Sequence, residues 1–231
     1  MHEDYYQNTL YPLQDKVLKI IEQLPVDFYL TGGTALSRVY LHHRFSDDLD
    51  FFVNGLPSFK QQIDQIISEF KNSSIQFDTT IADDGFARIF IFEGENSLKL
   101  DFVNDVPFRS GKTFDSGLFS KTDNILNILS NKITALSRYS PKDIVDIVFI
   151  CKFTSFSWEE IFNQASNKDI WINPINAVEI LEKFPIEKIH EIVWVNESTS
   201  VEWFNSRINQ IIPDILSGGD NSLYNKSFFE R

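Results

Sequence analysis

TGGTALSRVYLHHRFSDDLDFF, residues 31–52, is the stretch whose reading decides the fold. It opens at the end of a short apolar run, DFYLTGG (27–33), which reads as a strand entering a glycine turn. TALSRVYLHH (34–43) reads as the helix after that turn, and DLDFFV (48–53) as a second strand closed by Asn54-Gly55. Side chains alternate across a strand, so Asp48 and Asp50 share one face while Leu49, Phe51 and Val53 point into a core. Asp47 stays in the loop. Strand, turn, helix, strand within so few residues is the signature of an α/β unit.

Working outward, Leu13, Val17, Ile20, Ile21 and Leu24 recur at helical spacing over residues 10–24, and Pro25 stops that helix. Downstream, Pro57 and Ser58 open a helix that runs to Phe70. Residues 75–81, 87–93 and 97–104 read as three strands joined by the hairpin turns ADDG and GENS. The expectation is a small mixed β-sheet with flanking helices (α+β or α/β), followed by a mostly helical C-terminal region. RSGKTFDSG (109–117) is a loop, and helices are expected at 123–138, 141–152, 157–165, 174–183 and 200–212. The resulting division is a core at 1–121, a helical region at 122–217 and a loose tail at 218–231.

Bulk composition narrows the function. Hydrophobic residues make up 42% and charged residues 23% of 231, which is ordinary globular usage. The net charge of -12 argues against a general DNA or RNA binder, which needs clustered Lys and Arg. The first fifteen residues carry neither the basic nor the apolar part of a signal peptide, and no run is long enough to span a membrane. The lone Cys151, inside VDIVFICKF, excludes an intrachain disulfide and fits a cytoplasmic protein; it reads as core. The four Trp residues (158, 171, 194, 203) also read as core. His42 and His43 lack partners at zinc-ligand spacing and read as surface or supporting residues.

Four pieces carry chemistry. Gly32-Gly33-Thr34, at a strand-to-helix junction, lets a ligand approach the backbone at a helix start, where free N–H groups attract anions; a plain tight turn would look the same. Asp48 and Asp50 on one strand face repel each other, a cost that Mg²⁺ relieves, although a solvated strand face is the ordinary alternative. Lys99 and Asp101 share a face of another strand, and on a neighbouring strand Asp101 would supply a third carboxylate that completes a two-metal site. Lys99 either touches a phosphate or pairs with Asp101. In KITALSRYSPKDIVD (132–146), Asp143 and Asp146 are three apart and share a helix face, with Ser140-Pro141 as the helix start. Lys132 and Arg138 lie on different faces.

These pieces together resemble the AbiEii/AbiGii-type nucleotidyltransferases, a toxin family within the polymerase-β-like nucleotidyltransferases. The resemblance rests on residues 31–52, on KLD (99–101) and on residues 132–146. It implies that Asp48, Asp50 and Asp101 are catalytic and hold two Mg²⁺ ions, Mn²⁺ being an alternative. It implies that Gly32, Gly33 and Thr34, with Ser46, hold the triphosphate of an NTP. Lys99, Lys132, Arg138, Asp143 and Asp146 would be tied to the nucleotide, the helical region thereby completing the site. Arg44 would reach the triphosphate or pair with Asp47. The implied reaction is in-line attack on the α-phosphorus, with Asp101 doubling as base. The acceptor would be RNA, a tRNA for some relatives, or protein; the acidic composition sits awkwardly with tRNA. A cognate antitoxin is an implied partner. A small hydroxylated acceptor, or nucleotide binding without turnover, are the competing readings.

Overall fold

The computed structural model describes residues 2–195 and 199–224. The chain forms two compact units, one from residues 1–40 and 45–124, the other from 41–44 and 125–231.

The first unit is built on a five-stranded mixed sheet, as the alternation pattern leads one to expect. Its strands are β1 (Tyr29–Thr31), β2 (Leu49–Asn54), β3 (Gln76–Ala82), β4 (Phe86–Glu93) and β5 (Asn96–Asp105), in the order β1-β2-β5-β4-β3. Only β2 and β5 pair in parallel; the other three pairs are antiparallel. The β3–β4–β5 meander follows from its turns. Asp83 accepts from the backbone N–H groups of Gly85 and Phe86, at 2.8 and 2.6 Å, and Gly94 takes φ +62°. One sheet face is largely apolar: Leu49, Phe51, Val53, Leu98, Leu100 and Phe102 are buried. Phe102 touches Phe28 and Phe51 with ring centroids 5.0 and 5.1 Å apart. Over this face lies α4 (Phe59–Asn72), which buries Phe59, Ile63, Ile66 and Phe70 at helical spacing.

The N-terminus differs from the expectation. Helix begins at residue 2, as α1 (His2–Tyr5), a π-helical turn (Tyr6–Leu10) and α2 (Tyr11–Glu22). The widened turn ends two residues before Pro12, which has no N–H to donate back to it. After β1, α3 (Gly32–Ala35) continues into a second π-helical segment, Leu36–Leu41.

The second unit contains α5 (Ile125–Thr134), α6 (Pro141–Phe153), α7 (Trp158–Ser166), α8 (Pro174–Lys183) and α9 (Val201–Ser217), with 3-10 turns at Leu136–Arg138 and Ile186–Glu191. Helix α6 is buried almost all round, which makes it the core of this unit, and Cys151 lies there fully buried. Three expectations are corrected. Helix α9 does not stop before Pro213 but runs through it to Ser217, ending on Gly218 at φ +67°. Residues 218–223 are pinned rather than loose: Asn221 donates to the carbonyls of Cys151 and Thr154, at 2.6 and 2.8 Å, and the Gly219 carbonyl accepts from Trp158 N–H. The rest of the expected tail, 225–231, lies outside the described residues. Trp158 is core, but Trp171 is 79% exposed. Among the described residues, no helix is long and apolar enough to cross a membrane.

Candidate active site

The sheet unit gathers the carboxylates by register. Because β2 and β5 run parallel with Asp50 opposite Asp101, these two side chains stand side by side on the polar face. Asp48 immediately precedes β2, one residue outside the strand that the sequence suggested would include it. Lys99 leaves the same face of β5 and reaches Asp48 at 2.7 Å and Asp101 at 3.6 Å. Burial alone would depress the Lys99 ammonium; its hydrogen bond and proximity to the carboxylates outweigh that and hold its pKa above the usual value.

Arg88, on β4, was not singled out in the sequence. It is the direct cross-strand partner of Asp101. Its Nε donates to Oδ1 at 2.7 Å and its Nη2 to Oδ2 at 2.8 Å, a bidentate pair. Asp101 is 9% exposed, so this pairing compensates a carboxylate that water barely reaches. Two cations thus sit among three carboxylates. Among the described residues, no three His, Cys, Asp or Glu side chains converge as a ready metal site. The physical reason lies in where Asp48 and Asp101 point, one onto Lys99 and the other onto Arg88. The donor set itself, hard carboxylate oxygens on adjacent strands with charge to be neutralised, suits a hard divalent cation.

The glycine turn abuts this cluster. Gly32 has φ +69°, and a Cβ there would fall 2.1 Å from Asp50 Oδ2, so the carboxylate lies against the bare backbone. A knot behind β1 holds the turn in place. Thr31 donates to the buried Asp123 at 2.8 Å, Arg109 pairs with Asp123 at 3.3 Å, and Tyr40 donates to its carbonyl at 2.8 Å. Thr34 faces the chain rather than open solvent: it is fully buried and donates to the Asp48 carbonyl, with the Ser46 hydroxyl 2.9 Å away. Thr34 and Ser46 therefore set the approach to β2 and so aim Asp48.

The N-terminal helix pins the same loop. Gln14 donates to the carbonyls of Ser46 and Asp47, at 3.0 and 3.2 Å. Tyr6 donates to Asp47 Oδ1 at 2.5 Å and stacks on Phe45, centroids 4.2 Å apart. Arg38 donates to Gln14 at 3.1 Å and pairs with Asp15 at 2.7 Å. Gln14 was legible in principle, as a polar residue inside the apolar stripe of α2.

The remaining sequence candidates lie in the helical unit, where they meet one another. Leu41–Arg44 belongs to that unit although it sits between the glycine turn and β2 in sequence. Arg44 is buried and bidentate to Asp146, Nε to Oδ1 and Nη2 to Oδ2, both 2.7 Å. Lys132 reaches Asp143 at 2.6 Å and Asp146 at 2.9 Å, so these two acids do share a helix face. Asp146 is fully buried; desolvation works against its charge, but Arg44 and Lys132 hold its pKa well below the usual carboxylate range. His43, expected at the surface or in support, is buried with Nε2 2.8 Å from Asp146. Its pKa is lowered, chiefly by burial and further by Arg44 and Lys132, against the opposing pull of Asp146. Its Nδ1 has no hydrogen-bond partner among the described residues, which fits a neutral ring. Arg138 is exposed on the following 3-10 turn.

The family model described as "Nucleotidyl transferase AbiEii toxin, Type IV TA system" matches residues 20–196. The chain belongs to that family. AbiEii membership makes it a nucleotidyltransferase, and the match spans the candidate-site residues from Thr31 to Asp146, leaving out Tyr6, Gln14 and Asp15. Two solved structures from Helicobacter pylori share the fold. JHP933 superposes with a TM-score of 0.63 at 20% identity, covering 91% of each chain. The second, described provisionally as a nucleotidyltransferase, gives 0.57 at 20% identity, covering 89% of this chain and 94% of its own. A search of curated proteins finds no match.

Proposed function

We propose that this AbiEii-family protein moves a nucleotide from an NTP to an RNA or protein acceptor, as the toxin of a toxin–antitoxin pair, and that Asp48, Asp50 and Asp101 hold the divalent ions on which transfer depends. The observation that carries the reading is the register of β2 and β5, which sets Asp50 against Asp101 with Asp48 beside them and Gly32 cleared of side chain at the same spot. Mg²⁺ in such a site neutralises the triphosphate and lowers the barrier to displacement at phosphorus.

The residues of the chain supply orientation and charge. The Gly32-Gly33 turn at the start of α3 offers backbone N–H groups to the phosphates. Lys99 contributes a positive charge next to Asp48. The acceptor hydroxyl attacks the α-phosphorus and forms a new P–O bond. The bond from the α-phosphorus to the bridging oxygen breaks, and the electron pair leaves with pyrophosphate. The hydroxyl proton passes to Asp101. Most of the acceleration comes from alignment and electrostatic stabilisation.

The test is label transfer. Wild type and Asp48→Ala/Asp50→Ala are incubated with Mg²⁺, each α-labelled NTP in turn, total RNA and soluble protein. Label in an RNA or protein band with wild type alone is expected, and identifies both nucleotide and acceptor class. Absence of label with all four NTPs, or equal label with the variant, overturns the proposal.

A further inference from the structure

Asp101 has two carboxylate oxygens, and Arg88 takes both of them. A guanidinium bound in this way takes one lone pair of each oxygen and places a like charge beside any cation that would bind the others. The three acids carry three negative charges, and Lys99 and Arg88 return two positive ones at 2.7 to 3.6 Å. In this arrangement the carboxylates are already compensated. Arg88 is nevertheless not locked in. Its side chain is 34% exposed, and its guanidinium lies 5.3 Å from the Phe86 ring at the edge of the polar face. The fork that fits a carboxylate fits a phosphate equally well, which a lysine ammonium would not do bidentately.

We propose that Arg88 is a positioning residue that guards Asp101: it holds the carboxylate while the site is empty and transfers to the triphosphate when nucleotide and metal arrive together. The inference rests on the reading of Asp48, Asp50 and Asp101 as metal ligands. Its consequence is cooperativity. Metal alone must displace Arg88 and binds weakly. Nucleotide gives the guanidinium a second anion, releases Asp101 and tightens metal binding. By linkage, metal tightens nucleotide binding by the same factor.

The experiment is a Mn²⁺ titration followed by the EPR signal of free Mn²⁺, without turnover. Wild type, Arg88→Met, Arg88→Gln and Asp101→Asn are compared, with and without each α,β-methylene NTP in turn. Circular dichroism melts confirm that each variant is folded, and the two Arg88 variants guard against one failing to fold. The expected result has two parts. Removing the Arg88 charge tightens Mn²⁺ binding in the absence of nucleotide by about tenfold. It also shrinks the further tightening that nucleotide produces in wild type. Unchanged or weaker Mn²⁺ binding in both Arg88 variants, with Asp101→Asn still abolishing it, overturns the guarding role and leaves the metal reading intact. Mn²⁺ binding that Asp101→Asn does not reduce overturns the metal reading, and the guarding role with it.

Discussion

At the scale of single residues, the candidate site depends on what is missing as much as on what is present. Gly32 has a left-handed backbone and no Cβ, and both are required where Asp50 packs against it. Gly32→Ala should destabilise the sheet unit by at least about 1 kcal/mol, from strain at positive φ and the clash with Asp50. A urea unfolding curve checks the stability, and label transfer should fall with it. His43 gives a prediction with a definite sign. Its pKa in the folded chain lies below the usual 6.5, so below that pH the unfolded chain binds the extra proton more readily. Its contribution to stability is complete above about 6.5 and is lost as pH falls towards the folded value. The urea midpoint of wild type should therefore drop between pH 7.5 and 5.5 by more than that of His43→Gln. Equal drops would contradict the buried neutral ring. Arg44→Met removes one partner of the fully buried Asp146 and should cost about 3–5 kcal/mol, even though Lys132 remains.

At the scale of elements, alternation was the most legible signal. Strands β2 and β5 bury the residues their pattern indicates, because a strand with one apolar face has a single workable register. That they are neighbours was expected only from the third carboxylate a two-metal site calls for; their parallel direction and register were not legible. The order β1-β2-β5-β4-β3 depends on the crossover between distant segments, and it is this order that sets Asp50 beside Asp101 and Arg88 across from it. Arg88 therefore carried no local mark in ARIFIFE beyond being a charge on a strand. Two helix ends were misread for local reasons. The helix expected over 200–212 continues through Pro213, which interrupts the hydrogen-bond ladder locally without ending it, and α9 runs to Ser217 with Gly218 as its cap. The segment before residue 10 is polar and weakly periodic, yet it is helical, and Tyr6 and Gln14 reach the loop of Asp47 and Asp48 from there and from α2. Gln14→Ala should thus lower kcat for transfer with little change in fold, since it frees the loop that aims Asp48. A far-UV spectrum like wild type with unaltered kcat would contradict this.

At the scale of the molecule, the residues that one motif alphabet groups together are distributed over two units. Gly32, Thr34, Ser46, Asp48, Asp50, Lys99 and Asp101 lie in the sheet unit; Arg44, Lys132, Arg138, Asp143 and Asp146 lie in the helical one. Sequence spacing could not show that Leu41–Arg44 leaves the first for the second, because the return of the chain at Phe45 is set by tertiary pairing such as the Arg44 bridge to Trp194. Nor could it show that Arg44 faces Asp146, more than a hundred residues later. The acidic composition, with a net charge of -12, constrains the acceptor at this scale. An RNA acceptor should bind with an affinity that falls as salt rises, whereas a protein acceptor need not show the steep dependence of phosphate contacts. Measuring transfer at 50 and 200 mM salt separates the two.

The most direct measurement of the central claim compares two positions of label in the same NTP, with Mg²⁺ and the acceptor fraction that accepts it. Nucleotidyl transfer through Asp48, Asp50 and Asp101 predicts that α-label becomes attached to the acceptor, that γ-label is released as pyrophosphate, and that Asp50→Asn abolishes both. Attachment of γ-label to the acceptor would mean phosphoryl rather than nucleotidyl transfer, and full activity in Asp50→Asn would remove the carboxylate cluster from the chemistry.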